Sequence, residues 1–205
     1  MHGHRGGQRY RPAFHRSGCP PYFSAVDVDA FQLFFTLLAL LAVGGSVVVV
    51  TARLVQRRSS VAASLAAAVD DAVLWIAFLV AATATAGSLY FSEVANFVPC
   101  QLCWYQRIAM YALAPILLVA AIRRDRSVRW YAGPLAAGGA GISAYHYLIE
   151  WRPSLGGGAC GIGVSCADIW FRELGFVTLA FMALCGFLAI LVLVVPPPIV
   201  HLEAS

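Results

Sequence analysis

Long apolar segments alternate with short polar connections along most of this chain. Five segments without Asp, Glu, Lys or Arg cover residues 31–50, 72–92, 108–122, 130–149 and 174–195. None shows the strand-like alternation of a membrane barrel, and lipid offers no water to an unpaired backbone, so each segment is predicted to be a helix. The pattern therefore predicts an all-α integral membrane protein with five hydrophobic helices.

The third and fourth segments have features that affect how they span and pack. At about 1.5 Å per residue, residues 108–122 fall short of the roughly 30 Å hydrocarbon core. Trp104 and Tyr105 extend this helix as interfacial residues, and Pro115 is expected to kink it. The fourth segment is rich in Gly and Ala, which favours close packing against neighbouring helices.

The composition supports a membrane protein. Apolar residues make up 60% of the chain and charged residues 12%, whereas a soluble domain has about 45–50% and about 25%. The formal net charge of +4 resides in short arginine clusters and not in a basic patch interleaved with aromatic residues. We therefore expect the lipid bilayer as the surroundings and no nucleic-acid partner.

Arginines indicate which connections face the cytoplasm. They concentrate in the first and third connections: Arg53, Arg57, Arg58, Arg123, Arg124, Arg126 and Arg129. The positive-inside rule therefore predicts that the second and fourth connections are extracytoplasmic. With five spans the N-terminal tail also lies outside, although it carries four arginines. A signal peptide, or a first segment that does not fully span, would remove this conflict.

Two cysteine pairs lie in the predicted extracytoplasmic connections. Cys100 and Cys103 form a Cys-x-x-Cys motif, and Cys103 is expected in the first turn of the third helix, where exposed N–H groups and the helix dipole favour a thiolate. Cys160 and Cys166 lie in a glycine-rich loop that can close a disulfide easily. Two pairs on one membrane face suggest an electron relay, but spacing alone leaves a purely structural disulfide between Cys160 and Cys166 equally open.

Two polar side chains near the Cys-x-x-Cys motif are further candidates. Arg107 lies one turn after Cys103 and is positioned to stabilise a thiolate or bind a carbonyl group, the alternative being an ordinary snorkelling anchor. The positive-inside rule makes an arginine less expected here, which favours the functional interpretation. His146, near the outer end of the fourth segment, is either a binding or proton-exchange residue or one satisfied by a neighbouring helix.

The cysteine spacing also bears on metal and haem binding. A four-cysteine zinc site favours two tight pairs, so the wide Cys160–Cys166 spacing argues against it, and no metal is predicted. A c-type haem is excluded because Trp104 follows Cys103 where histidine is required. Cys185 is expected to be a packing residue within the fifth helix. Cys19 is alone in the N-terminal tail, and its role stays open.

Three motifs resemble the DsbB/BdbC family of disulfide-bond formation proteins, most closely the BdbC-like branch. They are PCQLCWYQR at 99–107, SAYHY at 143–147, and the Cys160–Cys166 loop before the last helix. The resemblance implies a four-helix transmembrane bundle over 72–195, preceded by a flexible tail at 1–27 and an extra hydrophobic helix at 28–51. A C-terminal tail covers 196–205. The extra helix lies outside the family pattern.

The resemblance also implies a quinone-dependent thiol oxidase in the plasma membrane that supports disulfide-bond formation. An extracytoplasmic thioredoxin-fold partner, similar to DsbA, would pass electrons to a Cys160–Cys166 disulfide through a mixed disulfide at Cys160. The electrons would continue to Cys100 and Cys103, with Cys103 facing ubiquinone or menaquinone of the membrane pool. Arg107 and His146 would be quinone-site residues.

Two alternatives to this function remain at the level of sequence. A vitamin K epoxide reductase-like protein also couples cysteine pairs to a quinone, but there the quinone-facing pair follows the loop pair, whereas Cys100 and Cys103 precede it here. A membrane scaffold with structural disulfides is the non-enzymatic alternative.

Overall fold

The computed structural model describes residues 25–56, 58–156 and 164–195. It contains five α-helices: α1 (Ala25–Val55), α2 (Ser60–Leu89), α3 (Gln101–Arg123), α4 (Arg129–Trp151) and α5 (Leu179–Val194). Within the described ranges the only β-type pairing is an isolated bridge between Glu173 and Val177. The prediction of an all-α membrane protein, a bundle with an additional N-terminal hydrophobic helix, is confirmed.

Several sequence predictions fall on residues outside the described ranges. They concern Arg57, Cys19, Cys160, the tail before residue 25 and the tail after residue 195.

Helices α2 and α3 begin earlier than their apolar segments predict. Ser59 caps α2, because its side chain accepts a hydrogen bond from the Ala62 N–H, so the helix starts twelve residues before the predicted position 72. Cys100 caps α3 in the same way, and the helix begins at Gln101 instead of 108. The third helix is therefore long enough to span, since the stretch before residue 108, which contains several polar and aromatic residues, is helical as well.

Helix α5 begins later than predicted, at Leu179 instead of 174. Leu174 and Gly175 have positive φ angles of 51° and 80°, so the chain makes a turn there that a helix cannot contain. Thr178 then caps α5 by accepting a hydrogen bond from the Phe181 N–H at 3.3 Å.

Three helical stretches of the described chain are long and apolar enough to cross a membrane: Val28–Val55, Ala72–Val94 and Gln101–Arg123. Helix α5 is apolar but shorter. Helix α4, which the sequence also predicts to span, is not among them. Its small residues carry little apolar surface and many of them are buried against neighbouring helices.

The core lies where α2, α3, α4 and α5 meet. Its fully buried side chains include Leu113, Leu117, Phe187 and Ile190. The close packing predicted for α4 occurs at Gly139, where the Phe187 ring occupies the space that a Cβ atom would take. A residue without a side chain is therefore what allows α4 and α5 to approach each other.

The two ends of the bundle differ in chemistry. At one end the buried Arg53 side chain of α1 forms a salt bridge with Asp70 of α2 at 2.6 Å and donates to the Val192 carbonyl of α5 at 2.7 Å. Arg126 donates to the Asp70 carbonyl at 2.6 Å. The arginine-rich connections thus meet at this end, and the connections with Cys100 and Cys166 lie at the other.

Candidate redox site

The end of α2 prepares the position of the first cysteine pair. A π-helical turn, Tyr90–Val94, follows α2, and Asn96 then adopts a left-handed conformation with φ 57°. Asparagine tolerates this region better than most residues. The chain is redirected and reaches Cys100 in an extended conformation, from which α3 begins.

Cys100 and Cys103 are both thiols, and their Sγ atoms lie 3.1 Å apart. Cys103 lies in the first turn of α3, as the sequence predicts. The sulfur that accepts a backbone N–H is nevertheless that of Cys100, which receives the Cys103 N–H at 3.4 Å. The N-cap position therefore gives Cys100, and not Cys103 as expected, the helix-terminal stabilisation of a thiolate.

His146 of α4 links the two cysteine-bearing connections. Its Nε2 lies 3.7 Å from Cys100 Sγ and 3.1 Å from the Cys166 carbonyl oxygen. Its Nδ1 lies 3.2 Å from Gln106 Nε2. A carbonyl only accepts hydrogen bonds and an amide –NH₂ only donates, so these partners place the proton on Nε2 and leave Nδ1 as the acceptor. The Nε2–H is therefore directed at the region between Cys100 and Cys166.

The second cysteine-bearing connection packs directly on the first. Cys166 is buried, is held in a disulfide, and belongs to one apolar cluster with Cys100, Leu102 and Ile149. Its predicted partner, Cys160, lies outside the described residues. The described half of the second pair is thus in the same packed cluster as Cys100.

An aromatic cluster holds these connections together. The Phe97 ring stacks on Phe91 at a centroid distance of 5.7 Å and on Trp170 at 4.9 Å. Phe171 packs against both phenylalanines. Each stacked pair contributes about 0.5–1.5 kcal/mol beyond its burial, so the cluster is well suited to keep the sulfurs close.

Arg107 points toward α2 and is anchored there. Its Nε donates to Ser88 Oγ at 3.0 Å and its Nη2 donates to the Ser88 carbonyl at 2.9 Å. Tyr111 also donates to Ser88 Oγ, at 3.2 Å. The guanidinium carbon lies 5.2 Å from the centre of the Trp104 ring, a cation–π distance. These contacts fix the charge one turn along α3 from Cys103.

A cavity of about 470 Å³ opens beside this cluster, between α1, α2, α3 and α5. Most of its lining is aliphatic or aromatic, and its polar lining near the cysteines includes Gln106, Arg107 and Ser88. Cys103 borders this cavity and also a small polar cleft that contains Cys100, His146 and Glu150. Cys103 is therefore the sulfur placed between the polar cleft and the apolar cavity.

The sequence did not single out Gln106, Glu150 or Ser88 as site residues. Glu150 is buried, and its carboxylate accepts a hydrogen bond from Thr178 Oγ1 at 2.6 Å. It follows His146 by four residues, so the two share a helix face. The sequence could have revealed Glu150 through this spacing. It could not have revealed Gln106 and Ser88, because their partners depend on contacts between helices.

Three side chains at the site are of the types that bind zinc. The sulfurs of Cys100 and Cys103 and a ring nitrogen of His146 lie within 4.8 Å of one another. Zinc binds thiolate and imidazole in such sets. Since His146 Nε2 also faces the Cys166 carbonyl, metal binding would break an existing hydrogen bond.

The surroundings of Cys100 predict an acidic thiol. The pKa of Cys100 is lowered from 9.0 to about 4 by hydrogen bonding from the Cys103 thiol, with smaller contributions from His146 and the Cys103 N–H. The thiolate is present above this pKa and lost below it. In a Cys103→Ser variant, which keeps a hydroxyl donor, alkylation of Cys100 should stay fast as the pH falls from 8 and slow only near pH 4.

Replacing His146 by phenylalanine in that variant should raise the alkylation midpoint by about one pH unit, because one donor to the thiolate is lost. Tyr147→Phe is the matched control, since Tyr147 donates only to the Phe176 carbonyl. Mass spectrometry of the Cys100 peptide measures the rate. A midpoint near the ordinary thiol value of 9.0 would contradict this account.

More than half of the chain is similar to known disulfide bond formation proteins. A family model described as "Disulfide bond formation protein DsbB" matches residues 70–196. Disulfide bond formation protein C of Bacillus subtilis is 44% identical over 120 residues, which cover 58% of this chain and 87% of that protein. Probable disulfide formation protein C 1 of Bacillus anthracis is 48% identical over 111 residues, covering 53% and 79%. No solved structure matched the chain.

The matched region includes both cysteine-bearing connections and the four helices that surround them. Its order of elements, with the Cys-x-x-Cys pair before the loop pair, agrees with the resemblance found in the sequence and not with the vitamin K epoxide reductase-like alternative. The chain belongs to the DsbB family of disulfide bond formation proteins and is a multi-pass membrane protein.

Proposed function

We propose that this protein is a thiol:quinone oxidoreductase that reoxidises an extracytoplasmic thioredoxin-fold dithiol protein. The observation that carries the proposal is the position of Cys103, which borders both the polar cleft with Cys100 and His146 and the large apolar cavity. A dithiol in this position can receive electrons from the cleft on one side and has space for a lipid-soluble acceptor on the other.

The first step is disulfide exchange at the Cys160–Cys166 pair. A thiolate of the partner attacks Cys160, and the second partner thiol releases the mixed disulfide, so the partner gains an S–S bond and Cys160 and Cys166 become thiols. Electron flow then continues by exchange with a Cys100–Cys103 disulfide. The shared cluster of Cys100 and Cys166 supports this transfer, because the two side chains are already packed together.

Cys100 and Cys103 then regain their disulfide and release two electrons and two protons. His146 is placed to stabilise a thiolate at Cys100, and its Nδ1 accepts a hydrogen bond from Gln106 Nε2. The described thiol state of Cys100 and Cys103, together with a disulfide at Cys166, corresponds to the stage before this release.

The residues beside Cys103 suit a quinone. Arg107, Gln106 and Ser88 provide polar groups for carbonyl oxygens at the cysteine end, and the remaining lining is mostly apolar. A quinone bound there supplies an acceptor for two electrons and two protons. Such a combination of an apolar cavity with a few polar groups is typical of cofactor sites.

The arrangement of charges supports an extracytoplasmic location for the partner. The arginine-rich connections lie at the opposite end of the bundle from Cys100 and Cys166, and the positive-inside rule assigns that end to the cytoplasm. Both cysteine pairs would then be extracytoplasmic. A membrane-impermeant thiol reagent should label Cys100 of the reduced protein from outside intact cells, and labelling only from the cytoplasmic side would overturn this topology.

The function is tested by quinone reduction with the purified protein, a reduced thioredoxin-fold protein and a soluble quinone analogue. Loss of the quinone absorbance should require all three components and should be matched by the loss of partner thiols, one quinone for each two thiols. Quinone consumption that does not depend on the partner would contradict the relay. A stable disulfide state with no turnover would support the scaffold alternative.

Arg107→Ala should raise the quinone concentration needed for half-maximal rate by about tenfold or more, because a hydrogen bond from a charged donor contributes roughly 1.5–3 kcal/mol. Arg123→Ala, at the other end of the same helix, is the matched control. Steady-state kinetics with varied quinone measures the effect. If the variant needed the same quinone concentration for half-maximal rate but were less stable, Arg107 would only anchor α3 to α2 and would not bind the quinone.

A further inference from the structure

Helix α1 lies outside the region that matches the family, yet it lines the apolar cavity. The matched region starts at residue 70. Eight α1 residues, from Phe35 to Val49, border the cavity together with Cys103 and Arg107. Over that stretch α1 extends about 21 Å at 1.5 Å per residue. The cavity is therefore elongated and runs well beyond the polar groups near Cys103.

Helix α1 is held against the bundle at both ends of this stretch. Near the cysteines, Phe31 stacks on Tyr90 at a centroid distance of 4.1 Å, and Phe35 packs so closely on Gly87 that a Cβ there would lie 2.6 Å from its ring. At the far end, Arg53 contacts Asp70 and the Val192 carbonyl. Such contacts position α1 as part of the fold instead of a loose anchor.

Between these two anchoring regions the α1 residues that face the cavity include small ones. Ala42, Gly45 and Ser46 line the cavity, and a Cβ atom built on Gly45 meets nothing within 4 Å. Small side chains at this position keep open a space that larger ones would fill. The open part of the cavity is thus bounded by α1 and lies about 15 Å along the helix from Phe35.

We infer that α1 forms one wall of a channel for the isoprenoid tail of the quinone, so that this helix sets the affinity for tailed quinones. The inference rests on the proposed function. The polar groups near Cys103 can bind the quinone head group. The long apolar part of the cavity along α1 is long enough and apolar enough to hold a prenyl chain. Continuity of the cavity with Cys103 favours this occupant over a phospholipid, which has no group that accepts electrons from the dithiol.

Two adjacent glycines provide a matched test. Gly45 lines the cavity, whereas Gly44 does not, and a Cβ at either position meets nothing within 4 Å. Gly45→Trp should fill the channel, and Gly44→Trp should place the same side chain elsewhere on the helix surface. Gly45→Leu is a second, smaller variant in case the tryptophan disturbs folding, which circular dichroism and gel filtration would reveal.

Binding of two quinones with the same head group, one with a long isoprenoid tail and one without, is measured by calorimetry in detergent. Gly45→Trp should weaken binding of the tailed quinone by about tenfold or more and leave the tailless one within about twofold, while Gly44→Trp changes neither. Gly45→Leu should show the same selectivity with a smaller loss.

Three results would overturn the inference. Gly45→Trp and Gly45→Leu without effect would mean that the tail lies elsewhere, and equal losses for both quinones would mean a general disturbance of the site. Equal affinity of the unaltered protein for both quinones would mean that the channel holds a lipid acyl chain or detergent. Failure of the unaltered protein to bind either quinone would instead refute the proposed function, so the two failures are distinguishable.

Discussion

Replacing Cys103 by serine is expected to abolish electron transfer from the thiol partner to the quinone. Serine keeps the size and the hydrogen bond but cannot form a disulfide with Cys100, whose sulfur lies 3.1 Å from that of Cys103. Deletion of a catalytic nucleophile lowers turnover by several orders of magnitude, so a loss of about a thousandfold or more is expected. The rate of quinone reduction with the reduced partner measures it.

Cys185→Ser is the matched control for this experiment. Cys185 is also a free thiol, but it is buried within α5 and lines neither the cavity nor the polar cleft. Its replacement should leave turnover unchanged, because Cys185 lines neither the cleft with the reacting sulfurs nor the cavity proposed for the acceptor. If Cys103→Ser retained turnover while remaining folded, electrons would leave the protein by another route and the proposed mechanism would be wrong.

Gly139→Ala is expected to destabilise the bundle by about 1–3 kcal/mol, the usual effect of overpacking a core. A Cβ at this position would overlap the ring of Phe187, which is fully buried. Either the ring must turn toward the cavity that it borders, or helices α4 and α5 must move apart, and both cost packing energy. Unfolding in mixed detergent micelles, followed by circular dichroism, measures the change.

The neighbouring glycines of α4 provide the control and the rescue experiment. Gly138→Ala and Gly141→Ala add a Cβ that meets nothing within 4 Å, so these variants should be neutral or more stable by up to about 1 kcal/mol from helix propensity. A Phe187→Leu change should recover part of the stability lost in Gly139→Ala. Equal effects of all three glycine substitutions would show that the helix–helix contact does not limit stability.

Much of the fold was predictable because lipid leaves the backbone few choices. An apolar segment in a bilayer must satisfy its hydrogen bonds internally, so the five helices follow from the sequence pattern without knowledge of their neighbours. The boundaries were less predictable. Residues such as Ser59, Cys100 and Thr178 decide where helices begin through caps, and a hydropathy pattern does not record a cap.

Local sequence features predicted which residues make up the candidate site, but only part of its geometry. The Cys-x-x-Cys motif at a helix start, the arginine one turn later and the histidine in the fourth helix are local features. The sequence pattern predicted that the helix terminus favours a thiolate at Cys103, whereas the N-cap residue in the structure is Cys100. Gln106 and Glu150 were missed because a polar residue in a membrane helix reveals its partner only in the folded bundle.

By itself, the sequence determined the membrane class, the helices and the family, and it predicted the candidate redox residues, since each depends on the order and type of nearby residues. Tertiary structure alone decided which groups meet. His146 reaches Cys100 across 46 residues, and Arg53 reaches Val192 across 139. The tertiary structure also decided where α1 lies along the cavity, because this position depends on packing between helices that the chain connects only at their ends.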